Sequence, residues 1–249
     1  MEETLISLTI TVAGSFINFI ATKIYSFFTG KPKNFIWQNK DPFAHLNVIN
    51  DLAEIKRRTR IIVIDDEDSF PISLFQAEGY SIEKWTKVED YAKLENGFYD
   101  IIVLDIKGVA NHISVDDGLG VLENLKKKNP AQIIIAYSQH SFDLSKARFW
   151  EMADEKIAKP SDFLRIKAIL ENLIITQFKP KRYIDALKQT LKANNYQKND
   201  ILKLENAISQ LIKSKGNPNW SRLLNFCHND PQLYAQLASI INTIIKLYK

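Results

Sequence analysis

The sequence predicts an α/β protein: a five-stranded, doubly wound parallel sheet, with a hydrophobic helix before it and an all-α region after it. Three observations predict this. Short runs rich in Ile and Val alternate with helical patterns between residues 60 and 177. Two of those runs end abruptly in acids, as strands do when their carboxyl ends build a site. The flanking segments show only helical periodicity and carry a different charge.

The N-terminal element is "TLISLTITVAGSFINFIAT", Thr4 to Thr22, nineteen residues without a charge, continued by "IYSFF" to Phe28. That is long enough to span a hydrocarbon core. The acidic start (Glu2, Glu3) and the lack of a small-x-small site argue against a cleaved signal peptide. Lys23, Lys31 and Lys33 all follow the segment, so the positive-inside rule predicts one pass through the inner, cytoplasmic membrane with the rest of the chain in the cytoplasm. Thr4, Ser7, Thr11, Ser15, Asn18, Thr22 and Ser26 form one helical stripe. Small and hydroxylated stripes let membrane helices associate, so a homo-oligomer is a possible state. An interfacial helix, or a soluble one with the stripe as its wet face, are the alternatives. Residues 30–59 read as a linker, broken by "TGKPKN" and "NKDP". Within it "AHLNVINDLAEIKRR" has helical spacing at Leu46, Val48, Ile49, Leu52 and Ile55.

Residues 60–177 alternate strand and helix. "IIVI" (61–64) is an apolar run suited to a doubly covered strand. Then come "SFPISLFQAEGY" as a short helix, "YSIEKW" as a strand and "VEDYAKLENG" as a helix. "YDIIVLD" (99–105) is the third strand, "DGLGVLENLKKKNP" a helix stopped by Asn129-Pro130, and "AQIIIAYS" (131–138) the fourth strand. "DLSKARFWEMA" is a helix and "EKIAKP" (155–160) a fifth, weaker strand. "SDFLRIKAILENLI" is a helix with Ser161 placed to cap it.

Strand ends gather specific chemistry. Asp65 and Asp66 end strand 1, Asp105 ends strand 3, Ser138 ends strand 4 and Lys159 ends strand 5. Crowded carboxylates repel and raise one another's pKa. An all-oxygen, highly charged donor set suits Mg²⁺, which would let the acids coexist.

These residues, in order and each at the end of the right strand, resemble the receiver domain of two-component response regulators, the CheY-like, flavodoxin-like family. The resemblance covers about residues 60–175 and rests on "DDE", "IIVLD", Asp117-Gly118, the hydroxyl of "IIIAYS" and Lys159-Pro160. It implies that Asp105 accepts a phosphoryl group from a histidine kinase or phosphotransfer protein. It implies that Asp65, Asp66, Asp105 and the backbone carbonyl of Lys107 hold Mg²⁺, Asp66 being the more direct ligand of the acidic pair. Lys159 and Ser138 would contact the phosphoryl group, and the Lys159-Pro160 bond would be cis. The only reaction implied is self-phosphotransfer.

Three departures stand out. The first helix is short, and Pro71 lies within it. The stretch Asp105–Gly118, "DIKGVANHISVDDG", is longer than the family's usual loop and could form a lid or a partner surface; His112 in it reads as a solvated loop histidine. The strand 5 position that is usually aromatic is Lys156, with Tyr137 or Phe142 as conceivable substitutes.

Charge divides the chain. Residues 1–59 carry 7 Lys/Arg and 5 Asp/Glu, residues 60–177 carry 14 and 20, and residues 178–249 carry 12 and 4. The basic end reads as four helices, "KRYIDALKQTLKAN", "NDILKLENAISQLIKS", "NWSRLLNFC" and "DPQLYAQLASIINTIIKLYK", with Gly216-Asn217-Pro218 as a breaker. They would form an interaction bundle or pack on the sheet. The lysines are dispersed and no helix-turn-helix is evident, so nucleic acid is not an expected partner. A single cysteine, Cys227, excludes an internal disulfide. His228 lies in a turn before Pro231, which argues against a phosphotransfer bundle.

The leading reading is a membrane-tethered signalling protein that takes phosphate on Asp105 and relays it to the helices or a partner. Alternatives are a membrane effector or pore under receiver control, a pseudo-receiver scaffold, and a nucleic-acid-binding regulator.

Overall fold

The computed structural model of the chain describes residues 41–139 and 147–248. Pro42–Lys249 falls in one compact unit. Five parallel strands, β1 (Arg60–Ile64), β2 (Ser81–Trp85), β3 (Ile101–Leu104), β4 (Ile133–Ser138) and β5 (Glu155–Ala158), lie in the order β2-β1-β3-β4-β5. The order reverses between β1 and β3, so the crevice of this flavodoxin-like sheet opens at their carboxyl ends.

Both faces of the sheet are covered, which is why β1, β3 and β4 are apolar at nearly every position. Ile61, Val63, Ile101, Val103, Ile133 and Ile135 share one core with α2 (Ile72–Ala77) and α6 (Phe163–Thr176). Ile62, Ile64, Ile102, Leu104, Ile134 and Ala136 share the other with α3 (Tyr91–Glu95), α4 (Asp117–Lys128) and α5 (Ala147–Met152). The short first helix is as expected, and Pro71 stands just before it at the N-cap. Two local expectations change. Asp162, not Ser161, caps α6, its carboxylate accepting from Arg165 N at 3.0 Å, while Ser161 Oγ donates to Ala158 O. The helix expected over residues 44–58 forms only as α1 (Leu52–Arg58), because Asp51 caps it there by accepting from Ala53 N.

The four C-terminal helices form as read: α7 (Pro180–Ala193), α8 (Lys198–Ser214), α9 (Trp220–Phe226) and α10 (Pro231–Tyr248). Their apolar faces continue the first core without a break, from Phe178 through Leu187 and Leu237 to Leu247. Polar contacts mark the seam, all at the amino ends of the strands. Asp100, just before β3 and fully buried in its side chain, accepts from Lys246 Nζ of α10 at 2.6 and 2.7 Å and from Arg60 N at 2.7 Å. Arg182 of α7 donates to Ala131 O and to Asp154, just before β5, at 3.0 and 2.6 Å. Asn129 Nδ2 donates to Ser239 Oγ at 3.1 Å. From Pro42 onward the expected linker also belongs to this body. Phe43 stacks on Tyr248, Ile49 N donates to Leu247 O, and Ser209 Oγ donates to Pro42 O.

The membrane location expected from residues 4–28 requires a correction. No helix among the described residues is long and apolar enough to cross a membrane, and the segment itself lies outside the described residues. Phe142 also lies outside them.

Burial raises the Asp100 carboxyl above its ordinary range against the pull of Lys246 and Arg60. Removing one partner of such a pair leaves an uncompensated buried charge. Lys246→Met should therefore destabilise the chain by about 3–5 kcal/mol, read as a lower urea midpoint, and Asp100→Asn added to it should recover part of the loss. Cys227 is buried, and burial followed by Asp230 pushes its thiol up to about 11. It should stay unreactive to a thiol reagent at pH 8 in the folded chain and react once urea unfolds it.

Candidate functional site

The strand order delivers Asp65 and Asp105 to the crevice as the residues that follow β1 and β3. Asp65 is fully buried, Asp105 is 6 % exposed and Asp66 faces solvent. One carboxylate oxygen from each of the three lies within 4.8 Å of the others. At that spacing two carboxylates repel by about 3–4 kcal/mol at an effective dielectric constant of about 20.

Lys159 counters this repulsion. It follows β5, and its N–H donates to Ser138 O at 3.0 Å, so the fifth strand carries it to the crevice beside Ser138. The Lys159-Pro160 bond is cis, as the resemblance implies. Its ammonium donates to Asp65 Oδ1 and, at 2.5 Å, to Asp105 Oδ2, with Glu67 at 3.4 Å. Burial opposes the charge on Lys159, but the hydrogen bonds it donates to Asp105 and Asp65 outweigh this and hold its pKa above the ordinary value. Lys84 takes the next acid along, Asp68, at 3.2 Å, and also donates to Glu67 O. Asp66 makes no ion pair among the described residues. Partial burial and then Asp105 raise its carboxyl.

The stretch after β3 is built to hold Asp105 in place. Asp105 Oδ1 accepts from Ile106 N at 2.6 Å and from Lys107 N at 3.5 Å. Gly108 has φ +81°, and a Cβ there would meet Asp66 Oδ2 at 2.2 Å. The Lys107–Gly108 turn thus closes directly against Asp66, which places Lys107 between two of the carboxylates. Gly118 opens α4 so near that a Cβ would meet Asp105 O at 2.1 Å and Ile106 Cα at 2.9 Å. Asp117 supplies the tie: at φ +50° its carboxylate accepts from Gly108 N and Ala110 N at 2.6 and 2.5 Å. The Asp-Gly pair is therefore a clasp on the long loop.

The loop is pinned rather than free. Val109 and Ala110 are fully buried, Val88 N donates to Val109 O at 2.8 Å, and His112 Nε2 lies 2.9 Å from Val88 O. His112 is exposed and turned away from the carboxylates toward that carbonyl. Lys156 is exposed on β5. Tyr137 is fully buried and enters the site itself, its ring 4.8 Å from Lys159 Nζ and its hydroxyl 3.0 Å from Ser69 Oγ. Ser69 Oγ lies 3.2 Å from Asp65 Oδ2. Sequence reasoning overlooked Ser69; its position four residues after Asp65 was the available signal.

The donor set is all oxygen and its charge exceeds what one lysine neutralises, which fits a hard dication such as Mg²⁺.

Solved structures resemble the chain over about half its length. A CheY-like response regulator receiver domain protein from Methanospirillum hungatei JF-1 is 24% identical, with a TM-score of 0.40, covering 48% of this chain and 95% of that one. The receiver domain of NtrX from Brucella abortus is 22% identical, with a TM-score of 0.39, covering 47% and 98%. The response regulator TrrA from Thermotoga maritima, solved in complex with Mg(2+)-BeF, is 29% identical, with a TM-score of 0.36, covering 46% and 98%. No protein-family model and no curated protein matches the chain.

Gly118→Ala forces a methyl into the backbone that carries Asp105, which cannot give way cheaply. It should cost both stability and Mg²⁺ binding. Gly108→Ala meets a movable side chain instead and adds backbone strain of about 1–2 kcal/mol. It should weaken Mg²⁺ binding by displacing Asp66. Thermal melts and calorimetric titration check both.

Proposed function

We propose that the chain is a receiver-type signalling protein whose Asp105 accepts a phosphoryl group from a phosphohistidine on a histidine kinase or phosphotransfer protein. The observation that carries this reading is the buried Asp105 carboxylate gathered with Asp65 and Asp66 within 4.8 Å and bridged to Asp65 by Lys159.

Asp65, Asp66, Asp105 and the Lys107 carbonyl are the groups that would hold Mg²⁺. When bound, the ion supplies Lewis-acid neutralisation of charge on the phosphoryl oxygens. Asp105 Oδ attacks phosphorus, the P–N bond to the donor imidazole breaks, and that imidazole leaves with the bonding pair. The product on the chain is an acyl phosphate. Lys159 is already hydrogen-bonded to the attacking carboxylate. Released from Asp65, its ammonium can follow the charge as it moves onto the phosphoryl group. Ser138, bonded through its carbonyl to Lys159 N, would supply a hydroxyl to the same oxygens. The helical region grips the amino ends of the strands, opposite the site, so the signal would reach it through the sheet and its helices rather than by release of a tethered domain.

The test is incubation of the chain with Mg²⁺ and acetyl phosphate, followed by intact mass spectrometry, with Asp105→Asn alongside. One added phosphoryl group, absent from Asp105→Asn and dependent on Mg²⁺, is the expected result. No addition together with no Mg²⁺ binding would overturn the reading in favour of a scaffold.

A further inference from the structure

Tyr137 is a large polar side chain, fully buried, at the edge of the carboxylate cluster. The roles of the hydroxyls around it follow from donor and acceptor chemistry. Asp65 Oδ2 can only accept while ionised, so Ser69 Oγ–H, 3.2 Å away, donates to it. The Ser69 proton being committed, the Tyr137 O–H, 3.0 Å from Ser69 Oγ, must donate to Ser69. A directed chain therefore runs from Tyr137 through Ser69 to Asp65.

Its two ends differ in rigidity. Ser69 is an exposed loop residue just before α2. Tyr137 stands on β4, paired to β3 and β5, and its ring is locked edge-on against Phe70 at 5.4 Å. Burial raises the Tyr137 phenol, which keeps its donor proton in place. Asp65 otherwise has Lys159 on Oδ1 and a 3.4 Å contact from Glu67 N. Lys159 also serves Asp105, and it would leave Asp65 if a dication took its place on that carboxylate or a phosphoryl oxygen drew its ammonium away.

We infer that Tyr137 and Ser69 are positioning residues that hold the Asp65 carboxylate for a divalent cation once Lys159 releases it. This rests on the receiver reading above. Groups that orient a metal ligand from behind typically contribute about 10–100-fold to affinity.

The experiment is calorimetric titration of Mg²⁺ into the native chain, Tyr137→Phe, Ser69→Ala, Ser69→Thr and the Tyr137→Phe/Ser69→Ala double variant. Acetyl phosphate labelling at saturating Mg²⁺ runs in parallel. Tyr137→Phe keeps the ring, and a far-UV melt verifies folding. The expected result is about tenfold weaker Mg²⁺ binding in each single variant, recovery in Ser69→Thr, and a double variant no worse than the singles, because one chain is cut in either place. Labelling that recovers at saturating Mg²⁺ marks a loss of metal affinity rather than of the phosphoacceptor. Unchanged Mg²⁺ affinity in folded Tyr137→Phe and Ser69→Ala overturns this inference alone. Losses that add in the double variant also overturn it. A native chain that binds no Mg²⁺ overturns this inference, and if it also takes no phosphoryl group the receiver reading falls with it.

Discussion

The crowding of Asp65, Asp66 and Asp105 at one sheet edge is the constraint to which the rest of the unit answers. Two of these carboxylates are buried, and each would be costly there without a partner. The partner comes from the opposite side of the crevice, on β5, which forces β1, β3, β4 and β5 into their observed neighbourhood before the charges can balance. Local features then serve that balance. Gly108 and Gly118 let the loop backbone approach the acids, and Asp117 ties the loop down. Ser69 and Tyr137 support Asp65 from behind. One lysine paired to two of the three acids leaves the cluster under-neutralised, and that deficit makes a dication a chemically sensible guest.

A second constraint acts at the other edge. The amino ends of parallel strands expose backbone and polar groups that need partners. Here α7 and α10 provide them through Arg182, Lys246 and Ser239, while the apolar core runs on beneath. The carboxylate cluster and the polar contacts to the helices therefore occupy opposite ends of the strands. A change at the crevice must travel along strands packed on both faces to be felt by the helices. β5 joins the two ends: Lys159 follows it at the crevice, and Asp154, held by Lys126 and Arg182, precedes it.

Much of this was legible in the sequence, for definite reasons. Three apolar runs among five strand segments separated by helical spacings encode a covered parallel sheet because burial on both faces removes the polar alternation. The residues after those runs must share an edge because all strands point the same way, so Asp65, Asp66, Asp105, Ser138 and Lys159 could be grouped from order alone. Other features were not legible. Asp162 took the capping role expected of Ser161, and Asp51 caps α1 well inside the stretch expected to be helical. His112 and the long loop could have covered the site, but the burial of Val109 and Ala110 drew the loop down beside Val88. Residues 4–28 read as a membrane helix on hydrophobicity alone, and among the described residues no helix meets the length and apolarity that crossing a membrane requires.

By itself, the sequence determined the parallel sheet, its helical extension and the roster of charged residues at the strand ends, because periodicity and strand direction are local properties. Only the tertiary structure decided how those charges are paired. Whether Lys159 bridges Asp65 and Asp105, whether Tyr137 faces solvent or the acids, and whether Lys246 finds Asp100 all depend on contacts between residues dozens to more than a hundred positions apart. Such pairings are set by the packing of buried side chains in three dimensions, to which no short-range pattern in the chain corresponds.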